Sequence, residues 1–285
     1  MGLDISGARF LLGERSRGVD FGHTLTLGRQ GIYIGRKQYT SLLRMLGVGC
    51  SITEYADDFF RGLGVRPLIA MDASKYEGAE IIHDMNNPVN PEYHATFDTV
   101  LDGGTLEHVF NFPVAIRNCM EMVRLGGHLI LMTPWHNYAG HGFYQFSPEL
   151  IYNSLSERNG YRVDKMLIVA EGNWYSGKKP SDLRQRTEID TPDPVLLYVT
   201  ARRVAAGPLF ASWPQQSEYC AAWDGGDRGA LCVNSPGTLK DRMVGKMAAL
   251  QRLQQKWRRY KSRRDLTPSR NPGMVRICRS HEVPF

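Results

Sequence analysis

Apolar positions change their spacing twice between Phe97 and Pro134. Phe97 and Thr99 to Leu101 form a short apolar, β-branched run. Val114, Ile116, Cys119, Met120 and Val123 then recur at near-helical intervals, and His128 to Met132 form a second run. The outer patterns predict buried strands and the middle one a helix. Pro113 suits the first helical position, and Asp102-Gly103-Gly104 and Gly126-Gly127 are expected to end the strand and the helix. A strand, helix and strand with short connections make a βαβ unit, with parallel strands and a right-handed crossover. Ligands of such sheets sit at the carboxyl ends of the strands. Chemistry is therefore expected at Asp102 to His108 and at Thr133 to Tyr144.

The same reading extends outward. Ala8 to Glu14 predicts a short helix, and the alternating His23 to Leu27 predicts a first strand. Tyr39 to Leu46 and Glu54 to Leu63 read as helices, the second with Thr53 as its cap. Leu68 to Met71 and Glu80 to Ile82 read as strands ending near Asp72 and Asp84. Ser147-Pro148-Glu149 opens a helix running to about Asn159, with Ser as cap and Pro in first position. Val163 to Val169 and Val195 to Thr200 are two more strands, and Gly172 to Pro194 between them reads as a loop or lid. Residues 205–236 read as an irregular extension. Residues 237–264 predict a basic amphipathic helix with Leu239, Met243, Met247, Leu250, Trp257 and Tyr260 on one face. Residues 265–285 are expected to be disordered.

Composition narrows the class. The chain has 285 residues and 42% hydrophobic content, enough for one sizeable domain with additions. No apolar run has the length of a membrane span, and the first residues do not read as a secretory signal. Cys50, Cys119, Cys220, Cys232 and Cys278 lack zinc-module spacing and suggest free thiols in a reducing cytoplasm. The net charge of +6 is uneven. Residues 237–285 hold 13 Lys and Arg against three acids, so residues 1–236 carry 22 basic and 26 acidic side chains. The basic character belongs to the tail, where it suits a protein or anionic-surface partner. Nucleic-acid modification would rest on that tail alone and ranks last.

DTVLDGGTLEHV, the helix, and RLGGHLILMTP together resemble the fourth-to-fifth-strand region of class I S-adenosylmethionine (SAM) methyltransferases. Leu106-Glu107-His108-Val109 resembles a signature of their small-molecule branch. The resemblance spans roughly residues 20 to 204. It implies a Rossmann-like α/β fold: a seven-stranded, mostly parallel sheet with an antiparallel last strand. It also implies SAM as cofactor and a small-molecule acceptor, such as a sugar or secondary metabolite.

Carried onto this chain, the resemblance makes Asp72 the acceptor for both ribose hydroxyls. A carboxylate suits a vicinal diol, and a turn or cap aspartate is the competing reading. Asp84 would face the adenine amino group, or simply shape the turn with Asn86 and Asn87. Met85 would cover the adenine or be plain core. Asp102 and Gly103 would border the sulfonium end, with an ordinary tight turn as the competing reading, and His108 would border the cofactor, while Glu107 is expected as an exposed polar residue at a helix start. The first-strand loop departs from the family pattern: Gly28 holds the first glycine position, but Gln30 and Ile32 replace the next two. Gln30 would occupy space used by the methionine part of SAM. Arg29 either pairs with the methionine carboxylate or is a surface arginine. WHNYAGHGFYQF, residues 135–146, sets two histidines among five aromatics, as an acceptor pocket would. His136 and His141 are the candidate general bases. As metal ligands they would lack a carboxylate or cysteine partner. The rival reading is an inactive binding or scaffold protein on this fold.

Overall fold

The structure, a computed structural model, describes residues 2–49, 53–180, 187–224, 267–271 and 274–279. The chain opens with β1 (Gly2–Leu3), α1 (Ile5–Ser16), β2 (Thr24–Leu27), β3 (Gly31–Ile32), α2 (Arg36–Met45) and α3 (Asp57–Gly62). It continues through β4 (Leu68–Asp72), β5 (Ile81–Ile82), β6 (Phe97–Asp102), α4 (Phe112–Met122) and β7 (Val123–His136). Then come α5 (Pro148–Ser154), β8 (Tyr161–Ala170), β9 (Asn173–Gly177), β10 (Val195–Arg203), α6 (Ser217–Asp224) and β11 (Met274–Arg279).

Nine strands form the main sheet in the order β11-β9-β8-β10-β7-β6-β2-β4-β5. The pairs from β5 to β7 are parallel, and β10 runs antiparallel to both β7 and β8. The seven strands from β5 to β8 are the expected Rossmann-like methyltransferase sheet, with its antiparallel last strand in place. β9 and β11 are additions at one edge. β9 falls inside the stretch expected to be a loop or lid. β11 falls inside the expected disordered tail, where it pairs antiparallel with β9 from Met274 opposite Gly177 onward.

Both faces of the sheet are covered, which is why its strands read as continuous apolar runs. Side chains alternate between the faces. Leu129 and Leu131 face α4 and α5, packing with Ile116, Met120 and Ile151. Ile130 and Met132 face the other layer, with Phe10 and Leu11 of α1 and Phe59 and Phe60 of α3.

Several boundaries differ from expectation. α5 stops at Ser154, and a separate 3₁₀ turn, Glu157–Asn159, takes up the end of the helix expected to reach Asn159. α4 ends at Met122, not at Gly126-Gly127, because Val123 already turns extended and pairs opposite Phe97. The two glycines lie within β7, and a Cβ on Gly127 would meet the Asp98 carbonyl at 2.6 Å. Thr53 does not cap α3, since its hydroxyl donates to the Tyr55 carbonyl and Ala56 is the cap residue. Ser147 does cap α5, accepting from Leu150 N. The basic helix expected over 239–264, and the partner it suits, lie outside the described residues. Among the described residues no helix is long and apolar enough to cross a membrane.

Candidate active site

β2 lies between β4 and β6, so the strand order reverses at its carboxyl end. This reversal opens the crevice where ligands of such sheets bind. Gly28 leaves β2 at φ +67, a conformation that favours glycine, and its N–H donates to the Met71 carbonyl at 2.7 Å. Gln30 folds back into the crevice and is buried. Its Nε2 donates to the carbonyls of Leu27 (3.1 Å) and Gly28 (3.2 Å), while its Oε1 has no partner. A Cβ on Gly103 would collide with that Oε1, so a side chain there would push the Gln30 amide aside. Gln30 thus occupies the crevice between the carboxyl ends of β2 and β6.

Arg29 is engaged within the protein. Its guanidinium pairs with Asp57 at 2.5 Å and lies over the Tyr55 ring, 4.1 Å from the centroid. The Asp57 bond raises its pKa further above the ordinary range. An open cleft of about 690 Å³ runs beside this pair, bordered by Thr26, Gln30, Ala70 and Glu80. Asp72 ends β4; its Oδ1 accepts from Ser74 N at 3.0 Å. Asp84 is exposed and organises a turn, its Oδ1 accepting from Asn86 N and Nδ2, bonds that lower its pKa. Met85 is buried core.

Across the crevice, Asp102 is fully buried at the end of β6. Its Oδ1 accepts from the N–H groups of Thr105 (2.8 Å) and Leu106 (3.3 Å), and its Oδ2 has no partner. Burial pushes its pKa well above the carboxylate range, and the Glu107 charge adds to this. Thr105 reaches back to the Leu27 carbonyl at 2.9 Å, tying this lip to β2.

Glu107 corrects the expectation of an exposed residue. It lies in a 3₁₀ turn, Leu106–His108, and is 1% exposed, because loop 137–146 closes over it. Phe143 N and Tyr144 N both donate to its carbonyl. Burial raises its pKa too, and its Oε2 has no partner. Its Oε1 is 3.5 Å from His141 Nε2. His108 is exposed beside it, its ring 4.9 Å from that of His141. Burial and the neighbouring His141 lower the His108 pKa. The structure thus brings His141, His108 and Glu107 together, whereas His136 ends β7 opposite Val195. Sequence patterns missed Glu107 because its burial comes from a loop more than 30 residues further on, which no local periodicity records.

The same loop packs most of its aromatics as structure. Tyr144 stacks on Phe146, which meets Phe112, and the Tyr144 hydroxyl donates to the Phe110 carbonyl at 2.7 Å. Phe143 and Phe110 remain exposed, edge to face at 5.8 Å.

No protein-family model and no curated protein sequence matches the chain. Solved structures do. One is the 1,6-didemethyltoxoflavin-N1-methyltransferase of Burkholderia thailandensis with bound S-adenosylhomocysteine: 15% identity, 70% of this chain and 78% of that one, TM-score 0.40. Another is the MccD protein: 10% identity, 68% and 96% coverage, TM-score 0.42. A third is the branched-chain polyamine synthase of Thermus thermophilus with 5'-methylthioadenosine: 12% identity, 75% and 60% coverage, TM-score 0.37.

Proposed function

We propose that the chain binds SAM in the β2–β6 crevice and transfers its methyl group to a small polar acceptor, a sugar or secondary metabolite. The observation that carries this reading is Asp72. It closes the strand next to β2, and its Oδ2 has no hydrogen-bond partner among the described residues, so a carboxylate oxygen is open to a diol at the crevice edge. On this reading, Gln30 leaves its two hydrogen bonds as the methionine part enters, and the unpartnered Asp102 Oδ2 supplies an acceptor for its ammonium group. The acceptor approaches from loop 137–146. Its oxygen gives up a proton to His141 or His136 and forms the new C–O bond as the S–CH₃ bond breaks, leaving S-adenosylhomocysteine. Alignment of the two reactants supplies much of the rate.

The test is ligand affinity of Asp72 variants. A charge-assisted hydrogen bond to the ribose contributes about 1.5–3 kcal/mol, so Asp72→Ala should weaken SAM and S-adenosylhomocysteine alike by about tenfold to a hundredfold. Asp72→Asn should weaken them less. Equal binding by wild type and Asp72→Ala would refute the ribose role.

A second reading is a binding or scaffold protein on the same fold. It is favoured by Gln30 lying hydrogen-bonded in the crevice and by Arg29 being already paired. It requires that wild type bind neither ligand at about millimolar concentration.

A further inference from the structure

We infer that Glu107, His108 and His141 form a binding site for a divalent transition-metal ion such as Zn²⁺. Two imidazoles and one carboxylate are borderline ligands of the kind zinc takes, and three protein ligands leave a position open for water or a substrate oxygen. One ligand atom from each residue lies within 4.8 Å of the other two. Bonds of about 2.1 Å in a tetrahedral site place ligand atoms about 3.4 Å apart. The Glu107–His141 pair is already at 3.5 Å, so closing the set needs only a small movement of exposed imidazoles.

A second observation points the same way. Glu107 is 1% exposed, yet its Oε2 has no hydrogen-bond partner. A carboxylate removed from water without partners is costly, and a bound cation is one of the few groups that offsets this. The surrounding backbone holds the ligands in place. The Glu107 carbonyl fixes Phe143 and Tyr144, and Gly142 passes so close that a Cβ would meet that carbonyl at 2.7 Å. This ties His141 to the turn that carries Glu107 and His108. The inference does not depend on SAM binding. If both hold, His141 is committed to the metal, His136 is the remaining base of the pair, and the open position suits an acceptor hydroxyl.

The test uses the purified full chain, stripped with a chelator and titrated with Zn²⁺, and separately with Co²⁺ followed by its visible absorption. One equivalent is expected to bind, with Co²⁺ bands of a nitrogen and oxygen site. His108→Ala and His141→Ala, both at exposed positions, should each weaken Zn²⁺ by at least about tenfold while the circular dichroism spectrum stays that of wild type. Glu107→Gln should do the same. Absence of saturable binding, or wild-type affinity in both histidine variants, would overturn the assignment. The second outcome would place any bound zinc elsewhere on the chain.

Discussion

On the β2 side of the crevice, polar groups are largely paired within the protein. Arg29 is held by Asp57 and Tyr55, and the Gln30 amide nitrogen is shared between two carbonyls. On the β6 side, Asp102 and Glu107 each keep a buried carboxylate oxygen without a partner. Leaving such a group unsatisfied costs roughly 1–3 kcal/mol, so a native protein that keeps two in one place usually has a use for them. Gln30 Oε1 also lacks a partner among the described residues, so the contrast is between side chains engaged mainly within the protein and two carboxylates that each keep an oxygen open. It also separates two questions that a glycine count in the first loop would merge: whether the cofactor's methionine end fits, and whether the reacting end of the site is intact.

The largest effect that would sharpen this contrast is on the β6 side. Whether His141 acts as the base or as a metal ligand, His141→Ala should lower turnover on a verified acceptor by about a hundredfold or more, with SAM affinity within about twofold of wild type. Unchanged turnover would make the loop structural and break the claim that this side is the reactive one.

On the β2 side, Gln30→Gly removes a side chain that must leave two hydrogen bonds to admit SAM. Affinity should rise by about tenfold, as expected for bonds of about 1 kcal/mol net. A fall in affinity would show instead that Gln30 is itself a ligand.

A smaller effect tests whether the two lips touch as described. Gly103→Ala should destabilise the fold by about 1 kcal/mol through its collision with Gln30. In a double-mutant cycle with Gln30→Ala the penalty should largely vanish, while additive costs in chemical denaturation would show that Gln30 does not pack there.

The smallest effect concerns the far edge of the sheet. Removing residues 225–285 takes away β11, which covers β9, so thermal stability should fall. Affinity for S-adenosylhomocysteine should change by less than about twofold, because β11 lies at the opposite end of the strand order from the crevice. A larger change would place the tail in the site.

Much of the fold was legible because strands buried on both faces leave long apolar runs. Leu68 to Met71 and His128 to Met132 fall where β4 and β7 do. β9 and β11 were not legible. β11 is an edge strand whose partner β9 lies far earlier in the chain, while β9 follows β8 through the tight turn at Glu171-Gly172 in a stretch whose polar residues read as loop. The site divided the same way. That Asp72 and Asp102 close β4 and β6 followed from the strand patterns, and the departure at Gln30 was visible as a missing glycine. That Gln30 would fold onto Leu27 and Gly28, and that Glu107 would be buried beneath His141, depends on contacts across the fold that no local spacing encodes.

The central claim is that the crevice between these two lips takes SAM, and calorimetric titration of the wild-type full chain with S-adenosylhomocysteine tests it most directly. Saturable one-to-one binding with a dissociation constant below about 1 mM, competed by SAM, is the predicted result. No heat of binding for either ligand at that concentration would contradict it.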